Sequence, residues 1–295
     1  MMKVLIACDG SKQSELALTY ATRLPLKKPE FVPVNIAPLV DINPEFVRQE
    51  ARDEIDAFNK KLEKQGNAAL ELAKKTLKEL GFDSNPEFIQ GDPIYKLVEL
   101  SKSYDLMVMG SRGLNPVQSF FLGSVSDAVV RGSHCPVLLY RNDKKYPLPE
   151  GKFKILFGHG NTESSEKAFD FLKALDLNNI KEIDLVSVMQ MNYHYGMSYS
   201  IAALDAWPEH KATLEESLFG LQKTLLDSSK GMTVHTEIIT DAYDIANTLN
   251  KHAKEQNCNL IVTGSENKNF MDRIILGSTS NKLAHHSDLP VLIVR

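Results

Sequence analysis

Apolar residues in this chain occur in short continuous runs that alternate with longer stretches of helical periodicity. The runs Leu106–Met109 and Pro136–Tyr140 are apolar throughout rather than at every second position. Such runs are typical of strands buried on both faces of a parallel sheet. In the first half the pattern predicts strands over 3–8, 31–37, 86–90, 106–110 and 136–141, and helices over about 12–24, 45–80, 93–103 and 124–133.

The strict alternation of strand and helix predicts a parallel sheet with right-handed crossovers and helices on both faces. Ser11 is the expected N-cap of the first helix, and Gly81 is expected to end the second. The second half repeats the order, except that the glycine- and aromatic-bearing stretch His194–Ser200 is predicted as a loop. Its strands are predicted near 154–158, 182–190, 232–239, 260–264 and 290–294.

The two halves are also similar in sequence. Lys3–Ala7 recurs as Lys154–Gly158, and residues 106–141 align without a gap to residues 260–295, with about fourteen identities in 36 positions. This similarity indicates a duplicated domain. The polar segment between the copies carries Pro147 and Pro149 and predicts a linker. The expected domains are 1–141 and 153–295, with residues 142–152 as the linker.

Composition narrows the class of protein. The 295 residues are 43% hydrophobic and 24% charged, as in ordinary globular domains, and the formal net charge of −4 argues against nucleic-acid and anionic-membrane partners. Cys8, Cys135 and Cys258 fit neither a disulfide framework nor a metal site, and Cys8 is expected to be a small buried residue. The first apolar run is too short for a signal peptide, and no run reaches membrane-spanning length, so a cytoplasmic location is expected.

Candidate chemistry follows the first and fourth strands. Asp9 follows the first strand, Gly110 and Gly113 follow the fourth, and Gly123-Ser124 opens a helix nine residues later. Ligands of open parallel sheets bind beyond the carboxyl ends of the strands, where strand order reverses. Glycines let the backbone approach a ligand, and a helix N-terminus favours an anion. These elements together predict a polyphosphate site.

Within this site, Ser124 and Ser126 could add hydroxyl donors, and Asp9 could hold Mg²⁺ through phosphate oxygens or bond a ribose hydroxyl. The P-loop pattern is absent from the sequence, which argues against P-loop chemistry. The alternative is that the glycines serve only as turns and that neither copy binds a nucleotide.

These residues, with Asp9-Gly10-Ser11 and the final Cys-Pro-Val-Leu-Leu-Tyr-Arg strand ending at Arg141, resemble the ATP-binding branch of the universal stress protein family. The resemblance covers both halves. It implies two tandem doubly wound α/β domains of the adenine nucleotide alpha hydrolase-like type, each with a five-stranded parallel sheet in the order 3-2-1-4-5. It also implies ATP, or another adenine nucleotide, as ligand, with Mg²⁺ held indirectly by Asp9. The implied binding residues are Ala7, Cys8, Asp9, Ile36, Gly110, Arg112, Gly113, Gly123, Ser124, Val125 and Ser126.

The family's fifth strand often pairs domains edge to edge. The resemblance therefore implies that residues 136–141 and 290–294 pair within one chain as an intramolecular pseudo-dimer, with a homodimer as a further possibility. Such pairing would protect two open sheet edges from aggregation.

The second copy departs from the pattern. Gly160 replaces Asp9, Glu266 replaces Arg112, and Asn267 replaces Gly113. A carboxylate at position 266 would repel phosphates. The first copy is therefore expected to bind ATP, and the second to bind it weakly or not at all. His159 lies beside no recognisable nucleophile or metal motif, so a structural role is expected for it.

Two classes of function remain. A regulatory nucleotide binder, linked to stress survival by the resemblance, would change conformation or assembly with ATP occupancy, and a protein partner would recognise that state. A slow Mg²⁺-dependent ATPase, autokinase or nucleotidyl-transfer enzyme ranks second, because no residue stands out to activate water and no catalytic residue is assigned. A third possibility is an electron-transfer-flavoprotein-like or pyrophosphatase-like member of the same broad fold, although the sequence shows no feature of a flavin site or of a second substrate site.

Overall fold

The structure is a computed structural model that describes residues 1–40, 48–111, 113, 122–141, 149–190, 201–241, 244–265 and 276–295. The chain divides into two compact units, Met1–Arg23 with Lys28–Arg141, and Leu24–Lys27 with Asn142–Arg295. Residues 142–148 of the predicted linker and the predicted loop His194–Ser200 lie outside the described residues.

The first unit contains a five-stranded parallel sheet. Its order is β3-β2-β1-β4-β5, which confirms the predicted topology. Val4, Leu5 and Ile6 in β1 are fully buried. Because both faces of this strand are covered, its sequence shows a continuous apolar run rather than alternation. The strands are β1 (Met2–Ala7), β2 (Pro29–Ala37), β3 (Glu87–Gln90), β4 (Leu106–Gly110) and β5 (Val137–Tyr140).

Helices connect these strands. The chain runs outward from β1 to β3 and then returns to β4 and β5, so right-handed crossovers place the first two helices and the last two on opposite faces. In agreement, the first helix contacts the second and the third contacts the fourth. The helices are α1 (Lys12–Ala21), α2 (Gln49–Glu79), α3 (Pro93–Leu100) and α4 (Ser124–Gly132).

The helix ends follow local sequence signals. The Ser11 side chain caps α1 by accepting a hydrogen bond from the Ser14 amide, as predicted. Gly81 follows the end of α2 with φ +87°, a conformation that favours glycine and stops the helix. The α1 helix ends at Ala21, earlier than the predicted residue 24, and the last predicted turn of α3 is a 3-10 turn over Ser101–Ser103. Tighter 3-10 turns are common at helix termini.

The second unit repeats this architecture. Its five parallel strands lie in the order β8-β7-β6-β9-β10, which is the order of the first sheet. The strands are β6 (Phe153–Gly158), β7 (Ile180–Gln190), β8 (Thr233–Asp241), β9 (Leu260–Gly264) and β10 (Val291–Val294). The helices are α5 (Glu163–Ala174), α6 (Ile201–Ser228), α7 (Ile245–Glu255) and α8 (Ser278–His286).

The topology creates one reversal point in each sheet. Strand β1 lies between β2 and β4, so the connections that leave the carboxyl ends of β1 and β4 diverge and open a crevice. Strands β6 and β9 form the same point in the second unit. Among the helices described here, each is too short or too polar to cross a bilayer.

Candidate functional site

The crevice at the carboxyl ends of β1, β2 and β4 is a cavity of about 400 Å³, which is within the usual size range of small-molecule sites. Helices α3 and α4 begin at its rim, so the cavity lies between the sheet and two helix N-termini. Its walls are Ala7, Cys8, Asp9, Ser14, Val34, Ile36, Pro93, Leu97, Met109, Gly110, Gly113, Gly123, Ser124, Val125 and Ser126.

The structure brings the sequence-predicted site residues together in this cavity. Each of them lines it except Arg112, which lies outside the described residues. Sequence reasoning missed Ser14, Val34, Pro93, Leu97 and Met109. Pro93 was the one that could have been found, because it opens a helix directly after the third strand and must lie at the same edge of the sheet.

Asp9 lies at the mouth of the cavity, where the chain turns from β1 into α1. Its side chain is exposed, and Oδ1 accepts a hydrogen bond of 2.9 Å from the Ser11 amide. Gly10 has φ +79°, which allows this tight turn. The turn fixes the carboxylate at the cavity through Oδ1 and leaves Oδ2 outside this hydrogen bond, so Asp9 can accept from a hydroxyl or from metal-bound water.

Gly113 is placed against this carboxylate. A Cβ added at Gly113 would lie 2.8 Å from Asp9 Oδ2, closer than real Cβ atoms approach an oxygen. Only a glycine permits this approach without moving the acidic side chain. The two glycine-bearing motifs that are about 100 residues apart in sequence therefore meet at one point.

The N-terminus of α4 forms the opposite wall. Gly123 is its N-cap and has no side chain to satisfy the first-turn amides, which point toward the cavity lined by Ser124 and Val125. These amides and the helix dipole favour an anion. Ser126 Oγ donates a hydrogen bond of 3.0 Å to the Gly110 carbonyl. This hydroxyl therefore connects α4 to β4, and its proton is used within the protein.

Cys8 contributes an apolar wall. Its amide donates to the Val34 carbonyl at 2.8 Å, and its carbonyl accepts from Asn35 Nδ2 at 2.6 Å. Burial, and next the negative charge of Asp9, raise the pKa of the Cys8 thiol to about 12. The thiol is therefore protonated at neutral pH, which agrees with the expected role as a small buried residue.

Comparison with known proteins identifies the family. The model of the universal stress protein family matches residues 1–141 and again residues 153–295. The chain belongs to the universal stress protein family. Both copies are thus universal stress protein domains in tandem, as the sequence resemblance predicted.

Individual relatives agree with this assignment. Universal stress protein Rv2005c of Mycobacterium tuberculosis is 25% identical over 304 residues, covering 99% of this chain and 96% of its own length. Universal stress protein MJ0531 of Methanocaldococcus jannaschii is 33% identical over 145 residues, 48% of this chain and 84% of its own length. The crystal structure of a universal stress protein from Archaeoglobus fulgidus superposes with a TM-score of 0.68 at 18% identity, covering 99% of this chain and 98% of that one. The last similarity supports the tandem fold.

The second universal stress protein domain has a different set of residues at its own reversal point. His159 donates its amide to the Val186 carbonyl at 2.8 Å, as Cys8 does to Val34, so His159 occupies the position of Cys8. Gly160 then takes the position of Asp9, and the carboxylate is lost, as the alignment predicted. The predicted replacements Glu266 and Asn267 lie outside the described residues.

The cleft wall of the second domain is also packed more closely. Gly158 occupies the position of Ala7, and Leu249, the fifth residue after the N-cap of α7, occupies that of Leu97. A Cβ at Gly158 would lie 3.0 Å from Leu249 Cδ1. In the first domain, both Ala7 and Leu97 line the open cavity. The glycine of the second domain therefore gives the leucine room that an alanine, as in the first domain, would partly fill.

His159 joins β6 to α6. Its Nε2 lies 2.9 Å from Ser217 Oγ, its side chain is buried, and Nδ1 has no hydrogen-bond partner among the described residues. Burial lowers the pKa of His159. The imidazole is consequently neutral in the folded protein near neutral pH, and the contact with Ser217 fits the structural role that was expected.

This buried histidine should make the second domain sensitive to acid. An unfolded chain binds a proton on His159 below pH about 6.5, whereas the folded chain, with its lowered pKa, resists that proton. The free energy of unfolding should therefore fall as pH decreases from about 7 to 5, and a His159→Gln variant should show a smaller fall. Denaturant titrations at each pH measure this difference.

The matched control is His210→Gln, because His210 is exposed on α6. Its pH dependence of unfolding should equal that of the wild type. An unchanged pH dependence in His159→Gln would show that His159 does not contribute to acid sensitivity.

Proposed function

We propose that this universal stress protein binds ATP, or a related adenine nucleotide, in its first domain, and that nucleotide occupancy regulates the protein in a stress response. The observation that carries the proposal is the cavity of about 400 Å³ with one apolar and one polar side. A universal stress protein has been solved in complex with cAMP.

The two sides of the cavity match the two parts of an adenine nucleotide. Val34, Ile36, Leu97 and Met109 form an apolar surface on which a purine ring can pack. Contact between these aliphatic side chains and the flat ring removes apolar surface from water, which favours binding of the base. This side supports recognition of a base, which inorganic polyphosphate lacks.

The polar side matches the phosphates. Ser124 and Val125, in the first turn of α4, line the cavity with their helix N-terminal amides, and Gly113 lines the same cavity next to Asp9. Amide donors complement phosphate oxygens, while the Asp9 carboxylate suits a ribose hydroxyl or a phosphate-bound Mg²⁺. Direct contact between Asp9 and a phosphate would be repulsive, so the metal or the ribose is its partner in this proposal.

The second domain is proposed to bind the nucleotide weakly or not at all. It lacks the carboxylate at Gly160, and Leu249 packs against Gly158 where the first domain is open. A tandem protein with one working site can couple nucleotide occupancy to a change in conformation or assembly that a protein partner recognises.

Equilibrium dialysis of the intact chain against labelled ATP tests this proposal. We expect one ATP per chain and competition by ADP and AMP, because the apolar wall can pack the purine and the polar side can hold the phosphates. Mass spectrometry of nucleotide released from the purified protein by denaturation gives an independent reading. Absence of binding at millimolar adenine nucleotide would refute the proposal.

A slow Mg²⁺-dependent ATPase or autokinase at the same site is the second candidate. It is favoured by one observation, the exposed Asp9 carboxylate fixed at the cavity mouth opposite the α4 N-terminus. Sustained multiple turnover that needs Mg²⁺ and disappears in Asp9→Ala would support an enzyme. Binding without turnover in the wild type would support the regulator.

A further inference from the structure

A second cluster of functional groups lies near the amino ends of β6, β7 and β8, at the edge of the sheet remote from the cleft. Glu182 and Asp184 are two residues apart on β7 and therefore project from the same face. Asp184 is in register with His235 on β8, and Lys154 on β6 is in register with Glu182. Four titratable side chains from three adjacent strands thus meet.

The geometry of three of these side chains suits one metal ion. One ligand atom each from Glu182, Asp184 and His235 lies within 4.8 Å of the others. His235 Nε2 is 3.2 Å from Glu182 Oε1. Two ligands at usual zinc distances and a tetrahedral angle are about 3.3 Å apart. The His235–Glu182 pair is thus already spaced for a shared ion, and Asp184 offers a third ligand atom within 4.8 Å of both.

The charges in the cluster are unbalanced. Lys154 Nζ is 2.8 Å from Glu182 Oε1 and 3.6 Å from Asp184 Oδ2, so one ammonium faces two carboxylates. Asp184 is only 5% exposed. A buried carboxylate that shares its counter-charge is costly, and a further cation at the cluster would relieve that cost.

The first domain shows which parts of the cluster are common to both copies. Lys3 and Glu30 are in register there, as Lys154 and Glu182 are in the second domain. Lys3 Nζ lies 4.6 Å from the centre of the Tyr104 ring. The described residues of the first domain contain no comparable cluster of metal-ligand side chains. The lysine and the glutamate near the amino ends of the first two strands are therefore common to both domains.

The additional donors are particular to the second domain. Asp184 stands where the first domain has Val32, and by the same strand register His235 stands where it has Asn85. Cys258 replaces Tyr104, and its thiol donates to Asp184 Oδ2 at 3.6 Å, which orients that carboxylate. Three separate differences in sequence thus converge on one point of the fold.

We propose that Glu182, Asp184 and His235 form a Zn²⁺ site in the second domain. One imidazole nitrogen and two carboxylate oxygens suit a borderline first-row ion, whereas Mg²⁺ and Ca²⁺ prefer oxygen ligands alone. His235 is 59% exposed, so the ion can reach the site from solvent. Three protein ligands leave a fourth position for water.

Lys154 and the metal compete in this site. Both neutralise Glu182 and Asp184, so Zn²⁺ must weaken the contacts of the ammonium before it binds both carboxylates. Removal of the Lys154 charge should therefore strengthen metal binding. Zn²⁺ bound elsewhere on the surface would show a much smaller response to this substitution.

Calorimetric titration of the untagged full-length chain with Zn²⁺, and absorbance titration with Co²⁺ as a spectroscopic probe, test the proposal. We expect one ion per chain, and His235→Ala should weaken Zn²⁺ binding by about tenfold or more. His210→Ala removes an exposed histidine from α6 and should leave the affinity unchanged. Lys154→Met should tighten binding, and Mg²⁺ should not compete.

Two results would overturn the proposal. The first is a lack of Zn²⁺ binding, which would mean that the His235–Glu182 contact serves only as an interaction between the two side chains. The second is binding that His235→Ala and His210→Ala weaken equally, which would indicate nonspecific coordination by surface histidines. Because His235 is exposed, its substitution should not prevent folding, and circular dichroism of the variant checks this.

Discussion

The Ser124→Glu variant should lose ATP binding almost completely. The new carboxylate would lie at the first turn of α4, among the amides that line the cavity of the first domain. Two unit charges 4 Å apart repel by about 1 kcal/mol in water and about 4 kcal/mol at an effective dielectric constant of 20. A loss of about 3 kcal/mol or more corresponds to a hundredfold or greater increase in Kd. Equilibrium dialysis with labelled ATP measures it.

The second domain supplies a matched control. Ser278 occupies the same place at the start of α8 after the N-cap Gly277, and it is equally exposed. A glutamate in the first turn of a helix is favourable, so neither variant should lose stability. Ser278→Glu should leave the ATP affinity of the chain unchanged. Equal loss in both variants would contradict the assignment of the site to the first domain.

The Gly264→Ala variant should destabilise the second domain strongly. A Cβ at Gly264 would lie 2.4 Å from the backbone carbonyl oxygen of Ser164, in the first turn of α5. Backbone cannot rotate away as a side chain can, so β9 and α5 would have to separate. Overpacking of this kind costs about 1–3 kcal/mol, and we expect the upper end. Thermal and denaturant unfolding measure the loss.

Gly220→Ala is the control for this prediction. Gly220 lies on α6, and a Cβ there would meet no atom within 4 Å. Alanine is more favourable than glycine in a helix interior by about 0.8–1.0 kcal/mol, so this variant should be slightly more stable than the wild type. A Gly264→Ala protein as stable as the wild type would show that the two elements can move apart at little cost.

Much of the architecture could be predicted from the linear pattern. Val4, Leu5 and Ile6 form an uninterrupted apolar run because the strand is covered on both faces. Burial of that kind can be predicted from the local sequence pattern. Ser11 and Gly81 act through neighbours only a few residues away, so their roles as helix cap and helix stop were also visible. Periodicity was less reliable at the last turns of α1 and α3.

The position of the candidate site was predictable for a topological reason. Parallel strands bring their carboxyl ends to one edge, so Asp9 after β1 and Gly110 after β4 had to approach each other once the sheet order was known. Their closeness was not predictable. The 2.8 Å that would separate a Cβ on Gly113 from Asp9 Oδ2 depends on the three-dimensional course of two loops.

The duplication could be predicted from the chain alone, because it depends on similarity between segments, whereas the order of the strands came from the family resemblance that the short motifs carry. The cavity wall formed by Leu97, the closer packing of Leu249 on Gly158, and the His159–Ser217 contact required the folded protein. The same holds for the meeting of Glu182 with His235. Each joins residues that no sequence spacing relates, and only the packing of helices on strands or the pairing of strands brings their side chains within contact distance.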